Sequence, residues 1–306
     1  MGQIKPSLLI TLAVMLMTVL LAQERTFYIL HTNNTNGALE NCYCPDHPFG
    51  AVEKRSIYVS NFLKKHPNTI LLDAGDIFTM THQSLKDSLM AEAYNQLPYD
   101  VILFGDQELT MSNTELNQLV AQMDIPVVGT NIDHPETVKS HIIEKEGLRI
   151  AILGIIDPYA LKYYPKDVRE KIELSDPIES IQAEMKRLKD KADIFILLTH
   201  QGADLDYAIA EKINGLHTII GGHSQSAIET PETINGALIA QAGKEGYYIG
   251  VIELIIKDGN VVEQSGRIDT MKLAMPDDQR IMQMIEEYEQ RSGRINHQKS
   301  KLKEKH

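Results

Sequence analysis

Tryptophan is absent from the 306 residues, and cysteine occurs only twice. Without tryptophan the chain offers no large aromatic platform of the kind that stacks on carbohydrate. Positive charge is also scarce, with 30 Lys and Arg against 42 Asp and Glu and a formal net charge of −12. Binding a phosphate backbone requires a basic face, so no nucleic acid polymer is expected as a partner. There is no internal repeat and no low-complexity segment, which removes solenoids and arrays from consideration. The two cysteines form Cys42-Tyr43-Cys44, and a Cys-x-Cys disulfide closes a small, strained ring rather than stapling a fold. Beside Asp46 and His47 they are candidates for a soft-metal or redox site, with buried thiols or a simple exposed disulfide as the alternative.

Long apolar runs are lacking too, with one exception. No charge occurs between Lys5 and Glu24, and Leu8 to Ala22 is apolar. A membrane span needs about 20 apolar residues, so this run is read as a signal peptide over residues 1–22. The expectation is export to the periplasm or the exterior. An uncleaved anchor is the alternative, and it would be the chain's attachment to a membrane.

What remains is sufficient for a sizeable core, since 43% of the residues are hydrophobic. Ile70-Leu71-Leu72 reads as a buried strand that ends in Asp73-Ala74-Gly75-Asp76, placing two carboxylates where ligands gather in an open α/β sheet. Four further apolar runs end alike: Val101 to Phe104 before Asp106, Val127-Val128 before Asn131, Ile196 to Leu198 before His200, and Ile219-Ile220 before His223. Helices are expected from Val52 to Pro67, Ser84 to Leu97, Asn113 to Met123, across Ile178 to Leu188, and from Asp204 to Ile213. The order predicts an α/β fold over residues 26–275, followed by a polar C-terminal helix and tail over residues 276–306. Carboxylate, amide and imidazole at neighbouring strand ends point to a metal site.

The motifs in order are His31-Thr32-Asn33-Asn34-Thr35-Asn36-Gly37, Asp73-Ala74-Gly75-Asp76, Gly105-Asp106-Gln107-Glu108, Thr130-Asn131-Ile132, Thr199-His200-Gln201-Gly202 and Gly221-Gly222-His223-Ser224-Gln225. This series resembles the N-terminal domain of the 5′-nucleotidase branch of the calcineurin-like metallophosphoesterases, over about residues 26 to 257. The resemblance implies a four-layer α/β/β/α sandwich with a two-metal site at the strand ends, taking Mn, Zn, Fe or Mg. It implies a small anionic phosphate ester as substrate. By position Asp76 is the bridging ligand, and Asp106, His200 and His223 complete one ion's shell. Asn34, Asn36 and Gln225 stand at the other ion's ligand positions, and Asn131 is a binding candidate.

The departures from that family's pattern carry their own expectation. Asn34-Thr35-Asn36 stands where the family has Asp-x-His, so an anion and an imidazole give way to two neutral amides. Gln107 stands at the place of the catalytic His and has no proton to give a leaving group. Thr110 replaces the Asp that would orient that His. The expectation is therefore an exported metal-dependent phosphate-ester hydrolase with weakened or altered catalysis, holding one ion firmly rather than two. The alternative is a non-catalytic relative that binds a metal or a ligand.

Overall fold

The computed structural model describes residues 24–41 and 49–294, so the apolar N-terminal run and the Cys42 and Cys44 expectation lie outside the described residues. The chain runs β1 (Arg25–Thr32), α1 (Val52–Lys65), β2 (Thr69–Asp73), α2 (Ser84–Asn95), β3 (Val101–Leu103), the single turn α3 (Asp106–Leu109), α4 (Asn113–Val120) and β4 (Val127–Val128). It continues as the hairpin β5 (Ser140–Lys145) and β6 (Leu148–Ile156), a 3₁₀ turn over Pro158–Leu161, α5 (Lys166–Arg169), α6 (Pro177–Leu188), β7 (Ile194–His200) and α7 (Ala203–Lys212). The last elements are β8 (Thr218–Gly221), β9 (Glu232–Ile234), β10 (Ala237–Ala240), β11 (Tyr248–Lys257), β12 (Asn260–Thr270) and α8 (Gln279–Ser292).

Two six-stranded sheets form, ordered β12-β11-β1-β2-β3-β4 and β5-β6-β7-β8-β10-β9. They pack face to face through β3 and β4 against β6 and β7, and through β10 against β12. Helices α1, α2, α4 and α8 pack together on one side, while α6 and α7 lie on β6, β8 and β10. This is the expected metallophosphoesterase sandwich.

Strand periodicity explains the layering. Along β6, Ile150, Ile152 and Ile156 enter the large core shared with the first sheet, while Ala151, Leu153 and Ile155 meet Ile181, Leu188 and Ile209 of the covering helices. Each fully buried Ile or Leu contributes roughly 1.5–3 kcal/mol of transfer free energy. α6 is capped as its sequence indicates, with the Asp176 carboxylate accepting the Glu179 N–H and Pro177 in the first turn. The 3₁₀ turn and α5 carry no apolar period and were not among the sequence expectations.

Parallel pairing of β1, β2, β3 and β4 in one sheet, and of β6, β7, β8 and β10 in the other, brings the carboxyl ends of the central strands to one rim. The loops after β1, β2, β3, β7 and β8 carry the motif residues, and that rim is where the candidate site assembles.

Candidate metal centre

His200 is the last residue of β7 and is fully buried. Its Nδ1 lies 2.7 Å from the Ala74 carbonyl oxygen, which can only accept, so Nδ1 carries a proton and Nε2 is the atom turned to the cluster. That Nε2 has no hydrogen-bond partner, yet it faces Asp106 Oδ1 at 3.1 Å and Asp76 Oδ2 at 3.2 Å. His223 closes the group with Nδ1 2.9 Å from the same Asp106 Oδ1. Ligand atoms of Asp106, His200 and His223 all lie within 4.8 Å of one another.

Three electron-rich atoms converging on one point are either protonated or bridged by a cation. Burial alone would lower the His200 pKa, but Asp76 and Asp106 raise it well above the imidazole range. Burial would raise Asp106, but the adjacent His200 and the hydrogen bonds with His223 and Tyr164 hold it well below the usual carboxylate range. A carboxylate with two imidazoles suits a divalent transition metal, so this donor set fits one ion.

The other side of Asp76 is built differently. The Asn34 side chain donates from Nδ2 to Asp76 Oδ2 at 2.8 Å, while its Oδ1 accepts from the His223 N–H at 3.0 Å and from Asn33 Nδ2 at 3.0 Å. Those donors fix the amide's orientation and use its oxygen. Gln107 donates from Nε2 to Asn36 Oδ1 at 2.8 Å and to Asp76 Oδ2 at 3.2 Å, and its backbone N–H reaches Asp76 Oδ1 at 3.1 Å. Protein N–H groups thus crowd Asp76 where a second cation would share it, and both Asn oxygens are engaged. The donor set on this side does not fit a second ion as it stands.

Backbone conformation marks the same residues. Asn34, Asn36, Asp76, His223 and Gln225 all have left-handed φ, between 46° and 71°. Asn and Asp tolerate this region, but His and Gln adopt it seldom, so the surroundings must impose it. The loop after β1 is clamped to the loop after β2 by Asn34 N–H to the Gly75 carbonyl and Asn36 N–H to the Asp76 carbonyl, each 2.8 Å. Glu108 supports that loop from beneath, its carboxylate accepting the backbone N–H groups of Gly105, Asp76, Ile77 and Phe78 at 2.7–3.1 Å. Burial and the Asp76 charge push Glu108 up to about 7 against those donors. Gly75, at φ +90°, is required because a Cβ there would stand 2.9 Å from His200 Nδ1.

The remaining expected residues fall outside the cluster. Asp73, the first carboxylate of its motif, turns inward to Thr32 and Tyr94 beside the buried Arg55. Asn131 is fully buried and spends its amide on the backbone of Ile156 and Ser175, joining β6 to the segment before α6. Gln225 lines a cleft of about 490 Å³ with Asn36, Lys86 and Lys244. Sequence reasoning missed Tyr164, whose hydroxyl donates to Asp106 Oδ2 at 2.7 Å. It also gave Glu108 no role, although that residue sits in a quoted motif.

No family model matches the chain. It is 28% identical over 243 residues to the uncharacterized metallophosphoesterase YunD of Bacillus subtilis, covering 74% of this chain and 50% of that protein. It is 26% identical over 313 residues to the human 5′-nucleotidase, covering 89% of this chain and 54% of that one. The chain thus spans about half the length of these curated relatives. Among solved structures, a 5′-nucleotidase precursor from Thermus thermophilus superposes with a TM-score of 0.76 at 21% identity, over 88% of this chain and 59% of that one. The calcineurin-like phosphoesterase YfkN of Bacillus subtilis gives 0.73 at 20% identity, over 88% of this chain and 98% of that one. The sequence relatives and the structure neighbours are thus calcineurin-like metallophosphoesterases and relatives of the 5′-nucleotidase N-terminal domain, and this chain shares their fold.

Proposed function

We propose that this chain is an exported, metal-dependent hydrolase of phosphate esters that holds one divalent ion firmly and has weakened catalysis. The observation that carries the reading is the buried, unpartnered His200 Nε2 facing Asp106 beside His223. An unpaired polar atom at zero exposure is costly, and a shared cation removes that cost. A divalent ion there would supply charge to a phosphoryl oxygen and acidify water.

The chain's own residues set what this centre could do. Ala74 fixes the His200 tautomer, and Glu108 fixes the loop that presents Asp76. No group at the Gln107 position can protonate a leaving group, since Gln107, Asn36 and Thr110 offer only amides and a hydroxyl. Hydrolysis should then depend steeply on the leaving group: aryl phosphates should turn over while nucleoside and alkyl phosphates lag. Export rests on the apolar run from Leu8 to Ala22.

One observation favours a second reading. Gln107 is locked to Asn36 and Asp76 by its amide and can deliver no proton, which favours metal or ligand binding without turnover. Assaying the full chain with Mn²⁺, Zn²⁺, Fe²⁺ or Mg²⁺ against p-nitrophenyl phosphate and AMP separates the two. Metal-dependent release of p-nitrophenol, several-fold faster than release of phosphate from AMP, supports the hydrolase. Metal uptake with no turnover of either ester supports the binding relative.

A further inference from the structure

We propose that Tyr164 is a positioning residue of this centre, anchoring one oxygen of Asp106 so that the other faces both imidazoles; the inference rests on reading the cluster as a metal centre. A carboxylate can rotate and can offer either oxygen or both. Here Oδ2 accepts the Tyr164 hydroxyl at 2.7 Å, and Oδ1 is left 2.9 Å from His223 and 3.1 Å from His200. The phenol thus selects the oxygen available to an ion, as hydrogen-bond partners behind metal ligands commonly do.

The segment that delivers the phenol is held in place. Asp157 caps the 3₁₀ turn by accepting the Tyr159 N–H at 2.7 Å, and Ala160 and Leu161 are buried beneath it. The Tyr164 N–H then closes on the Leu161 carbonyl at 3.0 Å, so the ring leaves the chain from a fixed turn. Thr110 holds the backbone of Asp106, its hydroxyl donating to the Asp106 carbonyl at 2.9 Å and its N–H at 3.1 Å. Asp106 is therefore held from its side chain and its backbone at once. The adjacent Tyr163 is 84% exposed and serves as an internal comparison.

The test uses the full chain carrying Tyr164→Phe, which removes the hydroxyl and keeps the ring. Co²⁺ affinity is measured by calorimetry, and the visible absorption of the Co²⁺-loaded protein reports ligand geometry. Affinity should fall about 10- to 100-fold with a shifted Co²⁺ spectrum. Tyr163→Phe should bind within about twofold of the unaltered chain, as surface changes away from special features do. If Tyr164→Phe does not fold by circular dichroism, Tyr164→Leu takes its place with the same loss expected. Unchanged affinity and an unchanged spectrum in a folded variant would overturn the role of Tyr164 and leave the centre standing. A chain that takes up no Co²⁺ before any substitution would overturn both.

Discussion

Two halves of one site meet at Asp76, and they solve the same electrostatic problem in opposite ways. On the His200 side, Asp76 and Asp106 oxygens lie 3.2 and 3.1 Å from the buried Nε2, and His223 Nδ1 closes on Asp106 at 2.9 Å. On the Asn34 side, amide N–H groups of Asn34 and Gln107 meet the carboxylate directly. A buried carboxylate needs either a cation or several good donors, and this chain supplies one of each. The first half is open to chemistry from outside the protein, while the second is satisfied within it. Asn34, Asn36 and Gln107, which stand where the resemblance places an Asp and two His, form a hydrogen-bonded clasp on this half of the site.

Breaking the open half should have the largest effect. Asp106→Ala removes the carboxylate that both imidazoles face, and divalent-ion affinity by calorimetry should fall by more than the roughly 100-fold expected for a lost supporting hydrogen bond. Asn34→Ala, on the clasped half, should change it less than about tenfold. Equal losses would mean that both halves hold metal.

Rebuilding the clasped half should come next. Asn34→Asp with Asn36→His restores an anion and an imidazole beside Asp76, and elemental analysis should rise toward two ions per chain. Adding Gln107→His supplies a proton donor, and turnover of AMP should rise by about 10² to 10⁴. A rise confined to p-nitrophenyl phosphate would argue against a missing acid.

A smaller effect should separate architecture from chemistry. Asn131→Ala strips partners from the buried backbone of Ile156 and Ser175 and should cost about 2–3 kcal/mol in chemical denaturation. Ion affinity should stay within about twofold, because Asn131 bonds to none of the cluster. Lost binding at full stability would return Asn131 to the site.

An effect of similar size, but spread over pH, concerns His31, the buried residue that opens the first motif. Burial pushes it down to about 3, and its ring packs where any Cβ on Gly250 would collide. Between about pH 6.5 and 3 the unfolded chain binds a proton here that the fold refuses. Its contribution is therefore fully present above that window and lost as pH falls, at up to about 1.4 kcal/mol per unit. The stability difference between the unaltered chain and His31→Gln should shrink accordingly from pH 6.5 to 4.5. A difference that ignores pH would mean the imidazole is not held neutral.

Much of this comparison could be read from sequence. Apolar runs ending in Asp, Asn or His located the strand ends, and the order of motifs indicated the sandwich. Residue type alone showed that Asn34, Asn36 and Gln107 are poor replacements for charged or basic ligands. What the sequence could not reveal is direction. Whether an amide presents its oxygen or its N–H to Asp76 depends on the adjacent Asn33 and on the His223 backbone, which arrives from a distant segment. Tyr164 was equally hidden, because it follows a 3₁₀ turn with no apolar period and meets Asp106 across 58 residues. Asp73 looked like Asp76 on paper, and only the course of the chain after β2 sends it to Thr32 and Tyr94.

The most direct test is the metal content of the purified chain after exhaustive dialysis, measured by elemental analysis against protein concentration. An open half and a clasped half predict about one firmly held divalent ion per chain. Two firmly held ions per chain, or none, would contradict the account.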